Sequence, residues 1–174
     1  MVLDLSRTLP ILERTPSVID ALLGGLPEES IRATEGAETW SPFDVVGHLI
    51  HGERTDWIPR FETIMGKHST REFAPFDRFA QFTESEGKSI AQLVEEFKNL
   101  RAANIVRLRA AGLTSADMER TGVHPAFGEV TMAQLLSTWV VHDLDHISQI
   151  VRVLAKQYQV AVGPWVEYLR ILRA

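Results

Sequence analysis

The segment TWVVHDLDHISQI sets apolar residues at helical spacing and places two histidines, His142 and His146, one turn apart among them. At about 100° per residue, Leu135, Trp139, His142, His146, Gln149 and Val153 form a strip at one edge of an apolar face. Leu136, Ile147, Ile150 and Leu154 complete that face. Both imidazoles therefore point toward whatever core this helix joins. Leaving a buried imidazole unpaired costs about 1–3 kcal/mol, so the fold must supply hydrogen-bond partners or a metal ion.

A third histidine, His48, stands in an equally apolar helical stretch, SPFDVVGHLIHGE, with Val45, Leu49 and Phe61 about it. Three imidazoles on one ion would leave coordination positions open, the layout of a reactive rather than a structural site. Spacing alone keeps two readings in play. The HxxxH pair arises often by chance in helices, and carbonyls, Asp or Gln can satisfy it without a metal. Nothing in the sequence shows that the two helices face each other.

Five helical segments and no convincing strand can be read. The first spans residues 5–23, with Pro10 and Pro16 interrupting it and a restart expected at Thr15-Pro16. Gly24-Gly25 closes it. The second opens sharply at Ser41-Pro42-Phe43-Asp44, a capping serine with proline at the first helical position and an acid three residues on, and is expected to reach Met65 with a kink near Pro59. Residues 67–88 hold four phenylalanines with weak periodicity and read as a long loop, with room for a turn or two of helix, a common place for a functional lid. The third helix begins at Ser89 with Gln92 completing its cap and ends near Gly112. After a polar connector, TSADMERTGVHPAFGEV, the fourth runs from Thr131 to about Tyr158. Val160–Val162 reads as a short extended piece before a fifth helix ending near Leu172. Long helices with polar connectors indicate an all-α fold, a four-helix bundle with a short extra C-terminal helix, as a single domain over residues 1–174.

The bulk numbers exclude several function classes. A chain of 174 residues with 45% hydrophobic and 24% charged residues can bury a core without staples. It has no cysteine, which removes disulfides, thiolate metal sites and a cysteine nucleophile. Net charge is −5. Arg101, Arg107, Arg109, Arg152, Arg170 and Arg173 are spread among acids at helical spacings and read as solvated surface, so nucleic acid is not an expected partner. No apolar run reaches the roughly 7–15 residues of a signal core or the ~18 of a membrane span. A cytoplasmic protein without a membrane partner is expected. Nucleophile elbows, phosphate loops, dinucleotide fingerprints and HExxH are absent.

Several neighbours of the histidines need placing. His51, one turn past His48, is expected at the rim of the site; His68 and His124 read as loop histidines, His124 near the pocket mouth. Asp143 and Asp145 are expected on solvent or in salt bridges, Asp44 in the helix cap, and Asp56 near the site. Gln149 lies on the histidine strip and is the candidate to touch a bound water or substrate. Trp40 and Trp139 fit core packing, with either able to wall a pocket.

Two motifs carry a family resemblance: WSPFDVVGHLIHGERTDW, residues 40–57, and GEVTMAQLLSTWVVHDLDHISQI, residues 128–150. With LERTPSVIDALLGGLPEES near the start, they make the chain similar to the DinB-like (YfiT-like) superfamily of metal-binding four-helix bundles. The resemblance implies an up-down-down-up bundle, often a homodimer, with His48, His142 and His146 holding zinc or nickel. From their positions beside the histidines, Gln149, His51, Asp56 and Trp139 are the further candidates for places near the ligands or in a substrate pocket. Some relatives are transferases or isomerases that use a low-molecular-weight thiol; many have no assigned activity. The expectation is therefore a metal-dependent transferase in which the ion activates a small thiol, acting on a small molecule in an apolar pocket roofed partly by residues 67–88. A metal-dependent hydrolase, a non-catalytic metal-binding or stress-response module, and a metal-free bundle with structural histidines are the alternatives.

Overall fold

The computed structural model describes residues 3–173, so Met1, Val2 and Ala174, the ends of the expected 1–174 domain, lie outside it. In chain order the helices are α1 (Leu5–Leu23), α2 (Glu28–Arg32), α3 (Pro42–Thr55), α4 (Trp57–Ile64), α5 (Ala80–Glu84), α6 (Ile90–Ala110) and α7 (Ser115–Met118). A hairpin of β1 (Thr121–His124) and β2 (Gly128–Thr131) follows, then α8 (Met132–Lys156). Two 3-10 pieces, Gly163–Tyr168 and Arg170–Leu172, end the described chain.

The long helices α1, α3, α6 and α8 form a four-helix bundle. Ion pairs Arg109–Glu13 and Lys98–Asp20 run α1 antiparallel to α6. His48 beside His142 and His146, with Glu53 beside Trp139, runs α3 antiparallel to α8. Leu12 shares a core cluster with Met132 and Trp139 while Ile19 and Leu23 share the other with Ile150, so α1 and α8 point the same way. The order is up-down-down-up, with α1 and α3 each packed between α6 and α8.

Helix starts follow the cap signals. Ser41, Ser89 and Thr131 each accept from the backbone N–H three residues on, while Asp44, Gln92 and Gln134 reach back to the cap's own N–H. Met132, Leu135, Leu136 and Trp139 bury one end of α8, and Ile150 and Val153 the other.

Five expectations are corrected. First, α1 is continuous through Pro10 and Pro16 and capped by Asp4. Thr15 is not a cap, and its hydroxyl donates to the Ile11 carbonyl at 3.2 Å. Pro10 frees only the carbonyl of exposed Ser6; Pro16 frees that of Leu12, which finds a donor on α6 (below).

Second, the second segment is helical as far as Ile64, but the kink expected near Pro59 is a full break at Asp56 (φ −113, ψ −68), because the Pro59 ring cannot accommodate the Thr55 carbonyl behind it. Third, the connector after α7 contains the antiparallel hairpin, Thr121 opposite Thr131 and His124 opposite Gly128. The backbone of residues 71–73 pairs with Val123, tying the long loop to its edge. Fourth, Val160–Val162 is a turn, not extended, and the expected fifth helix is two 3-10 pieces. Fifth, Arg101 is a core residue at 1% exposure, not surface.

Arg101, Glu53, Asn104 and Asp143 form a polar layer between the two apolar clusters. Among the described residues, no helix is long and apolar enough to cross a membrane.

Candidate metal centre

His48 on α3 and His142 and His146 on α8 meet where those helices cross. Nε2 of His142 lies 3.0 Å from Nε2 of His48 and 3.2 Å from Nε2 of His146. Among the described residues these three are the group of side chains arranged to hold a metal ion. The α8 spacing brings its pair together, and the antiparallel crossing of α3 supplies the third ring.

The donor set fits a cation. His146 presents Nδ1 to Gln149 Oε1 at 2.9 Å. An amide oxygen only accepts, so Nδ1 carries the proton and the Nε2 lone pair faces the cluster. Among the described residues, His48 and His142 have no partner for their buried Nδ1 atoms, and their Nε2 atoms also face inward. With the His146 proton on Nδ1, a single Nε2–H···Nε2 bond among the three leaves the remaining Nε2 without a partner, whereas one ion accepts all three lone pairs.

Burial holds His48 down to about 3 and His142 down to about 2, with neighbouring imidazoles adding repulsion. His146 is lowered by burial as well, opposed by Gln149 and nearby carboxylates. All three are therefore neutral and ligand-ready near neutral pH.

Beneath them lies the polar layer. Arg101 donates to Asp143 (Nη1–Oδ2 2.6 Å, Nη2–Oδ1 3.0 Å) and to Glu53 Oε1 (2.8 and 3.1 Å). Glu53 also accepts from Asn104 at 2.9 Å and from Trp139 Nε1 at 3.2 Å. Burial opposes the Arg101 charge, yet Glu53 and Asp143 together outweigh it and raise its pKa. Burial also pushes the Glu53 carboxyl up, against the pull of Arg101. Asp143, between the two α8 histidines in sequence, lies about 100° round the helix from His142 and about 60° from His146, so its pairing with Arg101 helps fix the rotation of α8.

A model of the DinB superfamily matches residues 11–150, most of the chain. The chain belongs to the DinB superfamily. Its fold is also similar to a solved Bacillus subtilis protein, YfiT, described as a probable metal-dependent hydrolase with an unusual four-helix bundle topology. The two share 19% identity at a TM-score of 0.72, over 87% of this chain and 86% of that one. No curated protein matches the chain.

In this DinB-superfamily protein the triad opens onto a cleft of about 720 Å³. Trp40, Trp57, Phe76 and Phe127 give it aromatic walls, and Asp56, Arg60, Arg78 and Asp145 its charge. Trp40 packs over His48 and stacks on His146 (ring centroids 4.9 and 6.3 Å), and Phe76 meets the His48 ring edge-on at 5.4 Å. Residues 75, 76 and 78 of the long loop line the cleft, as does His124 at the hairpin.

Other expected residues fall at varying distance. Asp56 lines the cleft, bonded to Arg60 at 2.7 Å. Burial raises its carboxyl to about 6, against the pull of Arg60. Gln149 stands behind His146 rather than in the cleft. His51, expected at the rim, is instead buried, with Nδ1 3.1 Å from Glu84 Oε1. Trp139 is fully buried under the site, stacked on Trp57 at 5.3 Å. Asp44 is in the cap and His68 in the loop.

Arg60, Arg78 and Phe127 escaped the sequence reading because nothing local marks them as cleft residues. Arg101 left a readable signal, falling four residues after Phe97 and four before Ile105, inside the apolar stripe of α6.

Proposed function

We propose that this protein is a metal-dependent enzyme in which His48, His142 and His146 hold one divalent ion, zinc or nickel, at the floor of the cleft. The observation that carries this is the convergence of three Nε2 atoms on one point beside an open, aromatic-walled cleft. A divalent ion bound there supplies Lewis acidity that lowers the pKa of a small nucleophile, a low-molecular-weight thiol for group transfer or a water for hydrolysis.

The chain's own residues do the rest. Gln149 fixes the tautomer of His146 and thereby its lone-pair direction. Trp40 and Phe76 cover His48 and limit water around it. The cleft has room for a nucleophile and an electrophile side by side, and no cysteine of the chain competes for the metal, which suits thiol transfer. Hydrolysis is the second reading, favoured by Asp56: a carboxyl raised to about 6 in the same cleft suits a general base. A homodimer, suggested by the family resemblance, belongs to this proposal and is checked by sedimentation velocity.

The test begins with metal content in protein purified without a nickel column, alongside His48→Ala and His142→Ala. About one equivalent per chain, lost in both variants, is expected. Turnover of several thiols with electrophiles, and of ester and amide substrates, then separates transfer from hydrolysis. No metal after addition of zinc and nickel would overturn the proposal.

A further inference from the structure

The unsatisfied groups around the triad have a common chemical sign. Trp57 is buried and lines the cleft, yet its Nε1–H has no partner among the described residues. It lies against Gly52, also in the lining, where an added Cβ would approach Nε1 to 3.2 Å. Arg60 spends Nη2 on Asp56 Oδ1 at 2.7 Å, while its buried Nε has no partner among the described residues. Arg78, exposed on the loop over the cleft, makes no hydrogen bond or ion pair among the described residues. All three offer donors and none offers an acceptor.

The acceptors in the lining do not cancel them. Asp56 is engaged by Arg60, and Asp145 is exposed beside the histidines. A divalent ion on three neutral imidazoles adds further positive charge. A ligand bringing oxygen lone pairs and negative charge meets all three unpaired donors, whereas an ammonium would meet only the exposed Asp145 carboxylate. Guanidinium groups pair with planar carboxylates through parallel N–H···O bonds, stronger than neutral ones. The indole N–H suits a single acceptor oxygen.

We propose that the substrate of this cleft carries a carboxylate, held by Arg78 and Arg60, with Trp57 Nε1–H donating to an oxygen of the same molecule and its reactive end at the histidines. This rests on the metal-dependent reading above and gives it a substrate class. An aromatic or unsaturated body fits the space between Trp40, Phe76 and Phe127.

Benzoate and its uncharged counterpart benzamide serve as probes, titrated into metal-free and zinc-loaded protein. The tryptophan indole N–H signals are followed by NMR, with Trp57→Phe assigning the one of interest. Benzoate should shift the Trp57 signal and bind at least about tenfold more tightly than benzamide, with Arg78→Gln removing about tenfold. Arg78 is exposed, so its replacement leaves the fold intact; Arg60→Lys adds a variant that keeps the charge but loses the fork.

Equal binding of the two probes overturns the inference, as does benzoate affinity indifferent to both arginine variants, or no shift at the solubility limit. Binding that needs zinc and ignores Arg78→Gln would put the carboxylate on the metal alone, sinking the inference while sparing the metal reading. Arginine-dependent binding to a protein that never takes up zinc or nickel would do the reverse.

Discussion

Arg101 Nη1 on α6 donates to the main-chain carbonyl of Leu12 on α1 at 2.6 Å. That carbonyl is available because Pro16, one turn on, has no N–H to give it. The interior proline therefore opens an acceptor in the middle of a helix, and a buried guanidinium fills it while holding Glu53 and Asp143. A defect of local structure becomes one joint of a polar layer that ties together four helices.

Replacing Arg101 with Met should destabilise the protein by about 3–5 kcal/mol, because two carboxylates stay buried without their cation. Adding Glu53→Gln and Asp143→Asn to that variant should recover part of the loss. Urea unfolding of the single and triple variants checks both statements. Full stability in Arg101→Met would show that the layer carries no net charge pairing.

Gln149→Leu should leave the fold intact and weaken metal binding by about 10- to 100-fold, since His146 would lose the acceptor that fixes its tautomer. Zinc competition against a chromophoric chelator measures this. Unchanged affinity would mean that helix geometry alone orients the ring.

Acid should destabilise the metal-free protein. Unfolded imidazoles protonate near 6.5, but burial holds His48 to about 3 and His142 to about 2, with His146 also lowered. Between those limits the unfolded chain binds more protons, so stability present above about 6.5 is lost as pH falls, by up to about 1.4 kcal/mol per pH unit per histidine. Asp56, raised to about 6 from 3.8, works oppositely, its folded form holding the extra proton between those values. Glu53, also raised, has the same sign as Asp56. The histidines outnumber them, so the urea midpoint should drop from pH 7 to 5 and drop less in His142→Gln. A midpoint that rises on acidification would overturn this.

Gly122→Ala should unseat Phe73, because a Cβ there would overlap its ring and also crowd Ile64. The cost expected for overpacking is about 1–3 kcal/mol. Faster amide exchange at Phe73 and Val123, whose backbones pair at 2.9 Å, would report the loosened loop. Unaltered exchange would show that the ring shifts at no cost to the loop.

What could be read in advance follows from the range of the interactions. The α8 histidine pair is fixed by one turn of helix, and the caps at Ser41 and Ser89 are equally local. Both were therefore legible from spacing. The meeting of His48 with that pair depends on two helices crossing, which periodicity does not encode; the motif resemblance suggested it. Strands of four residues around HPAFG are too short for a period of two to emerge, so the hairpin read as a turn. Pro16 read as a helix start because the donor that compensates it sits on a different helix, at Arg101. Arg101 in turn read as surface because its partners, Glu53 and Asp143, lie on two more.

Thr131 is both the last residue of β2 and the cap of α8. The hairpin that brings His124 and Phe127 to the cleft mouth thus runs without a linker into the helix that bears His142 and His146. Entrance and histidine pair are two ends of one lever. A redesign that lengthens the hairpin tip should alter which molecules enter while leaving the histidines untouched, whereas an insertion at Thr131 would rotate both histidines off their shared point.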